Sequence, residues 1–170
     1  NAEILKYRVR SRLTSRFVYL GRLNITKGAF DLIKILSTLA KSNSNFECVF
    51  IGHGNDSAKQ KLLSMAKKVG LKEKIIIKGF VEEEEKLRLL ASATALAFSS
   101  KEEGYGIAVH EALYLGVPVV CYDLPVLKSL FGKSRNIHFV PQKNQILFAQ
   151  ELERMLTEKA TGNEQFLEKD

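Results

Sequence analysis

Two glutamates, Glu103 and Glu111, have seven residues between them and are the side chains of this sequence best suited to holding a hydroxyl-rich ligand. A carboxylate accepts hydrogen bonds from the neighbouring hydroxyls of a sugar or a ribose. The turn Gly104-Tyr105-Gly106 leaves the backbone open between them, and a helix is predicted to begin near its end. This grouping indicates a site for a phosphorylated, hydroxyl-rich ligand. The alternative is a surface carboxylate at Glu103 and an ion pair at Glu111.

The predicted helix start also supplies backbone donors. The first amides of a helix have no partner inside it, and the positive end of the helix dipole attracts anions. The expected phosphate donors are the amides of Gly106, Ile107 and Ala108.

Two cations in an earlier loop extend this possible site. Arg22 and Lys27 lie in the stretch Gly21–Gly28, which follows a short apolar run and has a glycine at each end. A diphosphate gains negative charge as a bond to it breaks, and two cations can stabilise that charge without a metal. On the spacing alone, two surface cations flanking a turn remain the alternative.

A second glycine loop, Gly52-His53-Gly54, lets the backbone approach a ligand closely, and Gly54 is a candidate binding residue. A simple tight turn explains the same pattern. The sequence has no G-x-G-x-x-G after the first apolar run, which argues against a dinucleotide-dependent oxidoreductase.

The elements that must position these residues follow from alternating apolar runs and helical segments. The predicted strands cover residues 17–20, 46–51, 74–78, 93–99, 117–121 and 137–140. The predicted helices cover residues 29–40, 56–69, 82–92, 106–115, 125–131 and 144–159. This alternation predicts an α/β fold, a Rossmann-like three-layer α/β/α domain with a parallel sheet of about six strands.

Continuous apolar strands predict that both faces of the sheet are covered. The loops that follow the strands gather at the carboxyl edge of such a sheet, where ligands bind. The first long helix is expected to present one apolar face, made of Phe30, Ile33, Leu36 and Ala40.

Length and composition set the remaining limits. The 170 residues suffice for one domain over 17–159, with a linker or docking segment at 1–16 and a polar tail at 160–170. The net charge of +7 suits an anionic partner, although a lysine-rich surface explains it equally.

Cys48 and Cys121 lie in apolar runs, so buried reduced thiols and a cytoplasmic location are expected. No apolar run reaches the ~18 residues that a membrane span needs.

Four ordered motifs carry a resemblance to a known family. They are GRLNITKG, GHG, GFVEEEEKLRLLASA and EEGYGIAVHEALYLGVPVVCYDLP, within about residues 17–159. Together they resemble the C-terminal domain of the retaining glycosyltransferases of family 4, whose E-x7-E signature Glu103 and Glu111 match. The resemblance implies the C-terminal half of a GT-B fold that binds a nucleoside-diphosphate sugar. An N-terminal domain missing from this sequence would bind the acceptor, which is a glycan, a lipid or a small molecule.

The resemblance implies a role for each matching residue. Arg22 and Lys27 neutralise the diphosphate, and Glu103 touches the donor sugar; these three form the expected catalytic set. Glu111 holds the ribose. The other expected donor contacts are Gly21, the amides of Ile107 and Ala108, and, beside the base, Val81 and Lys86.

The resemblance further implies hexosyl transfer with retained configuration and without a metal or other cofactor. Mannose from a GDP donor is the preferred substrate, and no nucleic acid is expected. Peripheral contact of the full-length protein with the inner face of a membrane is compatible with the resemblance. The isolated domain should be nearly inactive. Two alternatives stay open, namely a sugar-nucleotide epimerase or phosphorylase of this architecture and a non-enzymatic module that binds nucleotides or polyanions.

Three positions depart from the family pattern. His110 stands where an apolar residue is usual, and we interpret it as a hydrogen-bonded helix residue without a catalytic role. Tyr105 replaces a phenylalanine and keeps the ring. The pair Ser99-Ser100 replaces Pro-Ser, which predicts a slightly less stiff loop.

Overall fold

The structure, a computed structural model, describes residues 2–7 and 15–160. The strands are β1 (Arg16–Leu20), β2 (Glu47–Ile51), β3 (Ile75–Gly79), β4 (Ala95–Phe98), β5 (Val119–Tyr122) and β6 (Ile137–Val140). The helices are α1 (Ala2–Leu5), α2 (Ala29–Leu39), α3 (Asp56–Lys68), α4 (Glu83–Ala91), α5 (Ile107–Tyr114), α6 (Pro125–Phe131) and α7 (Gln145–Ala160). A 3-10 turn at Lys72–Lys74 precedes β3.

The six strands form one sheet in the order β3-β2-β1-β4-β5-β6, and every neighbouring pair is parallel. The predicted α/β architecture is therefore confirmed. The chain moves outward in one direction from β1 and in the other from β4, so the order reverses between these two central strands. Right-handed crossovers then place α2 and α3 on one face of the sheet and α4 and α5 on the other. Loops that diverge at such a reversal leave a crevice for ligands at the carboxyl edge.

Burial is complete at the centre of the sheet and partial at its edge. Every residue of β4 and β5 is buried. In β3, by contrast, Lys78 is exposed and Ile76 is 37% exposed. The expectation that all strands are covered on both faces is wrong for β3, because Ile76 and Lys78 lie on the same face of this outer strand and are exposed there.

Helix α2 buries a wider face than predicted. Ile33 and Leu36 are buried as expected, whereas Phe30 and Ala40 are only half-buried. Leu32 is fully buried as well. The helix packs against α3 and α7 in addition to the sheet, so its buried face is broader than a single stripe.

The leading segment is partly described. Arg16 belongs to β1, and its Nε lies 2.5 Å from Oε1 of Glu47. Ile4 and Tyr7 pack against the core. Residues 8–14 of the predicted linker and 161–170 of the predicted tail lie outside the described residues.

Both cysteines are buried thiols, as predicted. Burial, followed by the nearby Asp123 carboxylate, raises the pKa of Cys121 to about 12, and burial likewise raises the pKa of Cys48. Within the described ranges, no helix combines the length and apolar character required to cross a bilayer.

Candidate active site

The loops that follow β1 and β4 are fastened to each other where the strand order reverses. The backbone of Gly28 has φ +75°, and a Cβ there would lie 1.8 Å from the carbonyl oxygen of Ser99. The Ser99 hydroxyl donates to the carbonyl oxygen of Gly28 at 3.0 Å, and the Lys101 amide donates to that of Thr26 at 2.9 Å. Only glycine permits this contact. The Ser99 hydroxyl thus makes a hydrogen bond between the two loops that a proline at this position could not make.

Tyr19 fixes the conformation of the β1 loop from below. This side chain of β1 is 1% exposed, and its hydroxyl lies 2.6 Å from the carbonyl oxygen of Arg22 and 3.2 Å from that of Lys27. Burial raises the pKa of the phenol, so it remains a hydrogen-bond donor. Tyr19 was not among the site residues predicted from the sequence. The available signal was a hydroxyl-bearing ring in an otherwise apolar strand directly before a loop with two cations.

The glycines of the β2 loop are explained by packing against the β1 loop. A Cβ on Gly52 would lie 2.1 Å from the carbonyl oxygen of Gly21, and one on Gly54 would lie 2.7 Å from Cβ of Leu23. The Leu23 amide donates to the carbonyl oxygen of His53 at 2.8 Å. The three loops after β1, β2 and β4 therefore form one connected wall. Ligand contact by Gly21 or Gly54 stays a prediction.

Lys27 and Glu103 meet across the crevice. The Nζ of Lys27 lies 2.7 Å from Oε2 of Glu103 and donates to the carbonyl oxygen of Glu102 at 3.2 Å. The side chains of Lys27 and Glu103 are 20% and 14% exposed. The fold thus unites a cation and a carboxylate that the sequence analysis assigned to phosphate and sugar.

Glu111 also has a lysine partner, on the α4 side of the crevice. The Nζ of Lys86 lies 2.7 Å from Oε1 of Glu111 and 2.7 Å from Oε2 of Glu83. Partial burial alone would lower the pKa of the Lys86 ammonium. The hydrogen bonds that Lys86 donates to Glu111 and Glu83, with the charges of these carboxylates, outweigh burial, so the pKa is raised. The ion pair that the alternative interpretation predicted for Glu111 is present.

The start of α5 lies between Glu103 and Glu111 in the sequence. Gly106 precedes the helix with φ +83°, and a Cβ there would lie 2.6 Å from Cδ2 of Leu127. Ile107 opens the helix as predicted, and its side chain is 66% exposed. No atom of the described residues lies within 4 Å of a Cβ built on Gly104. A ligand can therefore approach the turn and the first helical amides closely.

Arg22 faces another part of the edge. It is exposed and lines an open cleft of about 750 Å³ between the β1 loop, the β2 loop and α3. His53 and Lys61 line the same cleft. The two cations predicted to act together on one diphosphate thus have different surroundings in the structure.

Two ring contacts were not foreseen. His53 stacks on Phe80 after β3, with centroids 4.9 Å apart and planes at 25°. Val81, the predicted base contact next to Phe80, is half-buried against the core. His110 is exposed, and its ring centroid lies 6.3 Å from that of Phe131 with the planes at 25°, so the contacts of its ring are aromatic.

Among the residues described, no cluster of His, Cys, Asp or Glu is arranged to hold a metal ion.

The family model described as "Glycosyl transferases group 1" matches residues 11–168. The chain belongs to this family. Among curated relatives of this group 1 glycosyltransferase domain is TuaC of Bacillus subtilis, a glycosyltransferase named for teichuronic acid biosynthesis. It is 33% identical over 130 residues, which are 76% of this chain and 30% of TuaC. A GDP-mannose:cellobiosyl-diphosphopolyprenol alpha-mannosyltransferase of Xanthomonas oryzae is 25% identical over 69% of this chain and 31% of its own length.

Solved glycosyltransferases share the fold of the group 1 domain. TarM of S. aureus, in complex with Fondaparinux, alpha-GlcNAc-glycerol and UDP, superposes with a TM-score of 0.80 at 19% identity. The match covers 89% of this chain and 30% of TarM. The chain thus spans about a third of the length of the relatives it matches.

Proposed function

We propose that this domain binds the nucleoside-diphosphate sugar of a retaining family 4 glycosyltransferase, which transfers a hexose to an acceptor held by another domain. The observation that carries the proposal is the crevice at the strand-order reversal. There Lys27 meets Glu103 at 2.7 Å, and Glu111 of α5 meets Lys86 at 2.7 Å. A helix start with exposed side chains lies between the two glutamates. Cations, carboxylates and open amides are the groups that a nucleotide sugar requires.

Lys27 stabilises the leaving group in this proposal. As the bond between the anomeric carbon and the diphosphate breaks, the electron pair stays on the diphosphate oxygen. A positioned ammonium in a partly water-excluded site stabilises that new charge more strongly than it stabilises the bound substrate. Arg22 adds a second cation from the same loop. No metal is required for this step.

The two glutamates orient the hydroxyl groups of the donor. Glu103 accepts from the sugar, and Glu111 accepts from the ribose through its carboxylate oxygens. Lys86 holds Glu111 in place and, with Val81, lies on the base side. When the donor binds, its phosphate groups take up part of the hydrogen bonds of the lysines, and its hydroxyl groups take up part of those of the carboxylates.

The acceptor and the identity of the donor belong to the whole protein. One relative is named for GDP-mannose, whereas TarM was solved with UDP. We infer a hexose donor and retain mannose as the preferred sugar. Transfer requires closure of a second domain over the crevice to exclude water, so this chain alone should bind nucleotide and transfer little.

A nucleotide titration tests the proposal. Isothermal calorimetry of the 170-residue chain with GDP, UDP and ADP should give saturable binding to at least one of them, and Lys27→Ala should weaken it. Lys34→Ala is the matched control, because Lys34 is exposed on α2 and its Nζ lies 3.9 Å from Asp31.

Other results would favour the alternatives. Binding to RNA with steep salt dependence and without nucleotide preference would indicate a polyanion-binding module, which the net charge of +7 permits. Conversion of a sugar nucleotide by the complete protein without an acceptor would indicate an epimerase.

A further inference from the structure

The cleft beside Arg22 lies on a different face from the proposed ribose contact. Its walls come from the β1 loop, the β2 loop, Phe30 of α2 and the first turns of α3, and its volume is about 750 Å³. Right-handed crossovers place α2 and α3 opposite α4 and α5 across the sheet. Lys86 and Glu111, on α4 and α5, are not among the residues lining the cleft. A ligand here would occupy space separate from the ribose contact, in a volume typical of small-molecule sites.

The lining of this cleft has only positive formal charge. Arg22 and Lys61 contribute one cation each, His53 is the other titratable side chain, and no lining residue is acidic. Two acidic residues adjoin lining residues in the sequence, and each lies near a lysine outside the lining. The Asp56 carboxylate is 99% exposed and lies 3.7 Å from Nζ of Lys59, and the Asp31 carboxylate lies 2.6 Å from Nζ of Lys101. The cleft therefore attracts anions.

Uncharged groups in the cleft suit a carbohydrate. Lys61 extends over Phe30, with Nζ 4.6 Å from the ring centroid, so its charge is held at an aromatic wall. Asn24, Thr26 and Ser57 place amide and hydroxyl groups around the same space. Polar side chains for hydroxyl groups and a cation for one anionic substituent form a consistent set.

We propose that this cleft binds an anionic sugar, with Lys61 contacting its phosphate or carboxylate group. Arg22 and Lys27 share one loop, and the Tyr19 hydroxyl lies within 3.2 Å of the carbonyl oxygens of both. The cleft is thus rigidly connected to the crevice of the proposed donor site. Its assignment to a part of the acceptor or product that extends from the other domain onto this one rests on the proposed function, whereas binding of an anionic sugar does not.

The test is a titration of the 15N-labelled 170-residue chain, followed by amide chemical shifts. The probes are glucose 6-phosphate, glucuronate and glucose, each titrated without nucleotide and again in the presence of saturating UDP or GDP. Both anionic sugars are expected to shift amides in 22–26 and 55–61, and glucose is not. The relative affinities of the two anions distinguish a phosphorylated from a carboxylated ligand.

Three variants make the result specific. Lys61→Ala should weaken anionic sugar binding by on the order of tenfold, since one charged contact is lost, and Lys61→Arg should largely retain it. Lys67→Ala, an exposed lysine further along α3, should leave binding unchanged.

The inference is overturned if glucose binds equally well, if Lys67→Ala weakens binding as much as Lys61→Ala, if the nucleotide displaces the anionic sugar, or if no shifts occur. Loss of nucleotide binding, seen at amides 103–111, would count against the proposed function instead. The two failures are therefore distinguishable in one experiment.

Discussion

Replacement of Lys27 by alanine in the complete enzyme is the sharpest test of the proposed chemistry. The Nζ of Lys27 lies 2.7 Å from the Glu103 carboxylate, and both side chains are at most 20% exposed. A cation held this firmly and this far from water stabilises a charge that develops on a neighbouring phosphate oxygen. Loss of one such preorganised donor typically lowers kcat by about 10²–10³, or roughly 2.7–4 kcal/mol of transition-state stabilisation.

Steady-state kinetics of the complete enzyme with its donor measures this effect. We expect kcat to fall more than KM rises, because the diphosphate carries more charge in the transition state than in the bound substrate. Lys34→Ala removes an exposed lysine of α2 and should keep normal rates. A Lys27→Ala enzyme with near-normal kcat would refute the role assigned to this residue, and an equal loss in Lys34→Ala would point to a general charge effect.

Three further predictions concern the loop junction, the ribose contact and the half-buried His138. Gly28→Ala should lower the free energy of unfolding by at least about 2 kcal/mol in denaturant titrations, since its φ is +75° and a Cβ would clash with a carbonyl oxygen at 1.8 Å. Glu111→Gln should weaken nucleoside diphosphate binding by about tenfold in calorimetry, and a 2′,3′-dideoxy nucleotide should abolish the difference. The pKa of His138 is lowered by burial and then by the Arg154 cation, against the opposing effect of two nearby glutamates. Folding therefore favours the neutral ring, so this contribution to stability is present above the ordinary pKa of 6.5 and is lost as the pH falls below it. Thermal denaturation between about pH 8 and pH 5 should show a drop in Tm that His138→Gln reduces.

The fold was predictable because each element carries a local signal. Apolar runs of strand length, separated by helical patterns, determine an alternating order, and that order with right-handed crossovers leaves few arrangements of a parallel sheet. The boundaries shifted by one or two residues, as at β3, which was predicted over 74–78 and covers Ile75–Gly79. The breadth of the buried face of α2 was not predictable, because it depends on which helices pack beside it.

The partners of the site residues were beyond the sequence. Glu103 and Lys27 are 76 residues apart in the chain, and they meet only because β1 and β4 are neighbours at the reversal of the strand order. Nor does the spacing of Glu103 and Glu111 reveal that each binds a lysine from another element. Tyr19 was overlooked for a different reason: a tyrosine in an apolar strand is usually a core residue, and its hydroxyl contacts carbonyl oxygens only three and eight residues further along the chain.

The ion pairs of both glutamates alter the interpretation of the E-x7-E pattern. A lone carboxylate beside a diphosphate would repel it and weaken donor binding. Because Lys27 neutralises Glu103 and Lys86 neutralises Glu111, the crevice can hold two hydroxyl acceptors near phosphate without excess negative charge. Each lysine also restricts the carboxylate to one orientation, so part of the entropy cost of ordering the site is met in folding. The observed ion pairs of these glutamates and the proposed ligand contacts are therefore compatible, and in the proposed site the ion pairs reduce the repulsion of an anionic donor.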